Sequence, residues 1–305
     1  MVYGDCMDQS QLSASARRLA AALEPLTGQV YFSKECHQNY VNLGFGESPG
    51  EFNGVPGPNR EAYFTSRGSL MGQVPGELVA AAFAVFNPVA VIPAVTFGWT
   101  LTDATTICSA RDDGAIAQLH RILGVTPDRA ERARELLSVA VEPLRPEGRP
   151  LFAGVLSQSI PDSVMGAIFR LGDMLREYRG DSHTAAWIGA GVDATEIGLM
   201  SELYWGLPMR SYSRTRAWTD DDFDAATERL ESRGIVAGGS LTAHGREVRE
   251  RIEVDTDRQM LGCIAALGDS VTELCEILEP WGAEVRAQHG YPAAGPHDLA
   301  KAANR

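Results

Sequence analysis

The stretch REYRGDSHTAAW, residues 176–187, concentrates the side chains best suited to chemistry. Gly180 predicts a turn, and Asp181 a cap for the helix that follows. His183 then falls in the first turn of that helix, where the positive helix end favours a neutral imidazole near pH 7. Trp187 lies four residues further on, on the same helical face, and the small residues Ala185, Ala186, Gly189 and Ala190 leave room for a cavity. Read this way, Arg179, Asp181, His183 and Trp187 form one wall of a ligand pocket, with His183 and Asp181 as the candidates for acid–base work. The same residues also suit a plain helix cap with a hydrogen-bonded histidine, and residue type and spacing do not separate the two. Tyr63 and Arg67, in YFTSRG, stand at i and i+4 on a helical face. Arg67 suits a ligand carboxylate or a nearby glutamate.

Other patterns exclude more than they assign. Cys36 and His37 are adjacent, which a single metal accepts poorly, and His120, His244, His289 and His297 have no partner at ligand spacing. The five cysteines, Cys6, Cys36, Cys108, Cys263 and Cys275, are odd in number and lack C-x-x-C spacing, as expected of reduced thiols in a cytoplasmic protein. GAGVDATEIG has glycines but no preceding strand, and SQSIPDS lacks a nucleophile elbow. No metal and no cofactor is therefore expected. No long apolar run and no N-terminal export pattern is present, so neither a membrane partner nor secretion is expected.

The elements that must position these residues are mostly helical. Apolar residues at helical spacing run through SASARRLAAALEPL, PGELVAAAFAVF, DATTICSARDDGAIAQLHRILG and TPDRAERARELLSVAVEPL, the last with Thr126 as its expected cap. Separate helices are expected in IPDSVMGAIFRLGDMLREYRG and DSHTAAWIGAGVDATEIGLMSELYWG. Gly and Pro mark a long loop at 44–59, and RPEGRP, 145–150, is the candidate linker. In WTDDDFDAATERLESRG, Thr219 caps a helix whose Phe223, Ala226 and Leu230 share a face. IVAGGSLT then carries a two-residue hairpin at Gly238-Gly239, and Thr242 caps the next helix. Helix, hairpin and helix make a wing.

This wing resembles the MarR-type pattern L-x-x-R-G-[IV] followed by LT-x-x-G. With LEPLTGQVYFSKE, YFTSRGSLMG, FNPVAV and LREYRGDSHTAAWIGAGVDATEIGLM, the chain resembles an actinobacterial group labelled SalK-type helix-turn-helix proteins over roughly 17–280. RGSLMG departs from a more usual run of small residues and proline. The resemblance implies a mainly α, tandem winged-helix architecture with a short β-hairpin wing, a regulatory role and a homodimer. It carries no established activity. An internal echo agrees with a tandem: Leu78, Ala80, Ala81 and Val85 match Phe223, Ala225, Ala226 and Leu230 in offset. The expected division is a helical half at 1–145, a degenerate winged-helix unit; a winged-helix half at 151–280; and a flexible tail at 281–305.

Charge argues against taking the regulatory label at face value. The net charge is −13, and residues 219–233 alone hold six acids against two bases. A recognition helix meets bases and phosphates with its first turns, and this one begins with three aspartates. Arg214, Arg216 and Arg246 are the candidates for phosphate contact. Two functions follow: a small-molecule-binding regulator with a weak DNA surface, or an enzyme or accessory protein of specialised metabolism with a pocket near His183.

Overall fold

In the computed structural model, residues 8–293 are described apart from Asn53. Cys6, His297 and the end of the expected tail, 294–305, lie outside the described residues. Helix α9 (Val164–Gly189) runs through the centre and is buried on nearly every side. Around it pack α1 (Gln9–Thr27), α6 (Ala104–Leu123), α7 (Ala130–Val141), α8 (Pro150–Leu156) and α12 (Ala243–Gln259). The one main core extends from Leu12 on α1 to Tyr291, and includes α13 (Leu261–Leu267) and α14 (Ser270–Ala287). The buried arginines of this core have carboxylate partners. Arg111 is bonded to Asp173 at 2.7 Å and Asp112 at 2.9 Å, and Arg170 to Asp112, as buried ions require.

A second cluster joins α3 (Arg60–Gly68), α4 (Gly76–Phe83) and α5 (Pro88–Leu101) through Phe64, Val79, Phe83, Phe86 and Val91. A third holds the wing module: α10 (Ala194–Tyr204), α11 (Asp220–Ser232), strands β3 (Val236–Ala237) and β4 (Ser240–Leu241), and the start of α12. Its local signals work as the sequence predicts. Thr219 accepts from the Asp222 N–H while Asp222 accepts from the Thr219 N–H, a reciprocal cap. Phe223, Ala226 and Leu230 are fully buried. Gly238 and Gly239 both have positive φ, which a two-residue turn between antiparallel strands needs. Thr242 then caps α12 by accepting from the Gly245 N–H at 2.9 Å.

The tertiary structure overrides several local signals. Gly180 and Asp181 do not end one helix and begin another; α9 continues through them for 26 residues. No cap is left for Asp181 to form there, and His183 sits near the helix C-terminus, so the positive end invoked for its imidazole is absent. Helix α7 starts at Ala130, after Arg129 in the left-handed region, rather than at Thr126. The loop at 44–59 contains a small antiparallel hairpin, β1 (Glu51–Phe52) with β2 (Val55–Pro56). Residues 281–287 belong to packed α14 and Tyr291 is buried, so this part of the expected flexible tail is core. The boundary expected at 145–151 likewise falls within a shared core, because α7 packs on α9 across it.

The internal echo has no common core either. Leu78 is 55 % exposed where its counterpart Phe223 is fully buried, and Ala80 is buried where Ala225 is exposed. Helix α4 leads into α5, not into a hairpin. The structure is mainly helical with small antiparallel hairpins, as suits a helix-turn-helix protein.

Candidate functional site

A cavity of about 890 Å³ opens between α9, the aromatic cluster of the N-terminal half and the wing module. Two helical stripes supply its polar walls. On α9, Arg176, Arg179, Gly180 and His183 follow helical spacing; on α12, Arg249, Glu253 and Thr256 do the same, and Met260 caps its end. The remaining walls come from α1, from Tyr31, Tyr63 and Phe86, and from the segment Tyr212–Trp218 that leads into α11.

The charged side chains of the walls form two networks. In the first, Arg67 donates to both oxygens of Glu177, at 2.7 and 3.3 Å, and to the Tyr63 hydroxyl at 3.3 Å. Arg176 reaches Glu177 at 2.9 Å and Glu24 at 3.1 Å. Burial by itself would push Glu177 towards the neutral acid; Arg67 and Arg176 outweigh it and hold its pKa down at about 2. In the second network, Arg249 pairs with Glu253 at 2.6 Å, and Arg179 with Glu253 at 3.3 Å and Asp257 at 3.0 Å. Arg17 joins Asp257 to Glu250, both at 2.7 Å. Burial opposes the charge of Glu253 too, but Arg249, His183 and Arg179 keep it well below the usual carboxylate range. The Nδ1 atom of His183 lies 3.1 Å from the Thr256 hydroxyl and 3.9 Å from Glu253.

The residues singled out in the sequence divide between this cavity and other places. Tyr63, Arg67, Arg179 and His183 all line it, although Arg67 is engaged by Glu177, a residue 110 positions away and not the local glutamate expected. Asp181 points elsewhere: its carboxylate accepts from the Phe152 N–H at 2.9 Å, capping the start of α8. Trp187 is buried in the wing core beside Val192 and Ile197. Asp181 is on the face of α9 turned away from His183, and Trp187, one turn beyond His183 on the same side, is past the end of the cavity, so the four-residue wall expected from REYRGDSHTAAW is not assembled. Arg214 and Arg216 line the cavity, Arg214 exposed and Arg216 half-buried, and Arg246 is exposed on α12, away from the cavity.

The charges around α11 are largely paired. Around α11, Arg210 pairs with Asp224 at 2.5 Å, Arg214 with Asp220 at 2.7 Å, Arg229 with Asp193 at 2.5 Å and Arg233 with Glu196 at 3.2 Å. Asp221, Glu228 and Glu231 remain exposed. The α12 stripe of Arg249, Glu253 and Thr256 is absent from the residues singled out in the sequence, although its helical spacing is legible there; only burial against α9 distinguishes it from an ordinary charged helix face. Arg214 and Arg216, candidates for phosphate contact by sequence, belong to a segment that folds back onto Phe86 and Val85, which nothing local in the sequence reveals.

Among the described residues no group of His, Cys, Asp and Glu side chains could hold a metal ion, and no helix is long and apolar enough to cross a membrane. Cys36, Cys108, Cys263 and Cys275 are free and buried. Residues 16–292 match a helix-turn-helix family. No curated protein and no solved structure matches the chain.

Proposed function

This chain belongs to a helix-turn-helix family across residues 16–292, and from that premise we propose a small-molecule-binding regulator whose cavity, not its DNA face, is the developed site. One observation carries the reading: the segment Tyr212–Trp218 forms a cavity wall and runs directly into α11, the helix a winged-helix protein presents to DNA. That segment is tied to the N-terminal half by Asn87, whose N–H donates to the Arg216 carbonyl at 2.9 Å, and by Trp218, which donates to the Val85 carbonyl at 2.9 Å. A ligand seated between the halves contacts the hinge of α11 and so has a route to its orientation. The cavity volume falls within the range of small-molecule sites. One winged-helix module is enough for this role; a tandem is not needed.

DNA affinity is expected to be weak and mostly non-specific, because the arginines beside α11 are already neutralised. Fluorescence anisotropy with the protein's own upstream DNA tests this. Binding should appear only below about 50 mM salt and vanish at physiological salt, since phosphate contacts lose affinity steeply as salt rises. Tight, sequence-selective binding at physiological salt would refute this expectation. A second reading, an accessory or catalytic protein of specialised metabolism, is favoured by the same acidic α11 surface. Complete absence of DNA binding at the lowest salt, with a small molecule still bound, would move the balance to it.

A further inference from the structure

We propose that the cavity takes a flat aromatic or polycyclic carboxylic acid, with Arg216 holding the carboxylate; this rests on the ligand-binding role proposed above and specifies it. The cavity arginines are not equivalent. Arg17, Arg67, Arg176, Arg179, Arg214 and Arg249 each have a carboxylate at 2.6–3.1 Å. Arg216 has no carboxylate within 4.0 Å among the described residues, and it is half-buried. Arg60, the other unpaired arginine of the wall, is exposed at the mouth.

Arg216 is also held in place before any ligand arrives. Its guanidinium carbon lies 4.5 Å from the centre of the Phe86 ring and 4.8 Å from that of Tyr212, so two aromatic rings contact it. Nη2 donates to the Tyr212 hydroxyl at 2.7 Å, and the backbone carbonyl accepts from Asn87. One of the five guanidinium N–H groups is thereby used, and a planar fork remains that matches a carboxylate. Ring contacts offset part of the cost of withdrawing this cation from water, and an incoming anion would complete the offset.

The surroundings narrow the class of ligand. Phe86, Tyr212, Trp205 and Trp218 surround the same end of the cavity, with Trp205 set edge-on to Tyr212 at 5.6 Å between centres. Flat rings suit such walls. The carboxylates of the lining, Glu24, Glu177 and Glu253, are already paired with Arg176, Arg67 and Arg249, so the open guanidinium edge of Arg216 is what the wall offers an anion. A monoanion with an apolar planar body fits one open guanidinium among aromatic walls.

The test uses the full chain with anthracene-9-carboxylate and its neutral methyl ester as probes, followed by tryptophan quenching and calorimetry. The acid should bind at least about tenfold more tightly than the ester, the gain expected of a charge-assisted hydrogen bond. Arg216→Leu and Arg216→Gln should bring the acid down to the ester's affinity and leave the ester unchanged. Melting curves show whether either variant is unfolded, and Arg216→Gln keeps a donor for Tyr212 if Arg216→Leu is not tolerated. Gly180→Leu, which fills the cavity from α9, should weaken both probes. Equal binding of acid and ester to the wild type, lost in Gly180→Leu, would overturn the anion site and leave the cavity's role standing. A preference for the acid that survives both Arg216 variants would overturn the assignment to Arg216. No binding of either probe would overturn this proposal and the ligand-binding role together.

Discussion

Asp181 and His183 are two residues apart on one helix and face different parts of the molecule. His183 meets the cavity; Asp181 holds the Phe152 N–H at the start of α8. Burial, opposed by that hydrogen bond, pushes the Asp181 carboxyl from its ordinary 3.8 up to about 7. The sign of the consequence follows from proton linkage. Between these two values the folded chain keeps a proton that the unfolded chain has released, so stability falls as pH rises from 3.8 through about 7. Asp181→Asn keeps an acceptor for Phe152 and removes the titration. We expect the variant to lose up to about 4 kcal/mol of the wild type's decline in stability across that range, given ~1.4 kcal/mol per pKa unit. Urea melts between pH 4 and pH 8 check it; an unchanged pH slope in Asp181→Asn would show that Asp181 titrates normally.

Helix α9 shows how an element can be legible in kind and wrong in extent. Glycine followed by aspartate reads locally as a stop and a new cap, and both signals are real for an isolated peptide. Here the helix continues because both of its flanks are buried and the Asp181 carboxylate is used by α8. Gly180 has a further consequence. It is a mid-helix glycine with negative φ, and an added Cβ would meet only Glu177 Oε2, at 3.9 Å. Gly180→Ala should therefore stabilise the protein by about 0.5–1 kcal/mol, by reducing the backbone freedom lost on folding. A fall in the melting temperature would mean the cavity wall cannot accept even a methyl group. The wing needs no such correction. Its caps, buried stripe and Gly-Gly turn act over a few residues each, so neighbours in sequence are sufficient to specify them.

Across the whole molecule, the apparent division at 145–150 separates segments that share a core. Helix α14 packs along α1, and the central α9 contacts α1, α6 and α7 from the first half. Leu19, Leu119, Leu137 and Phe152 are packed with Leu175, Leu274 and Leu278 in one cluster. A fragment of residues 1–149 would expose most of that apolar surface to water. We expect it to give no cooperative melt and to be cleaved rapidly by protease at low ratio, whereas the full chain resists. A fragment with a sharp transition would instead show that the N-terminal half folds by itself.

From residue order alone came the helical class, the wing with its caps and turn, the absence of recognisable metal or cofactor patterns, and the excess of acid on the helix that would approach DNA. These depend on periodicity, short-range capping and charge count, which neighbours in the chain supply. The tertiary structure decided that α9 is one helix, that Trp187 and Asp181 leave the cavity while Arg214 and Arg216 enter it, and that Glu177 and Glu253 engage Arg67 and Arg179. Those outcomes depend on which faces are buried against which, and on pairings such as Arg67 with Glu177 between residues 110 positions apart, where local spacing carries no signal.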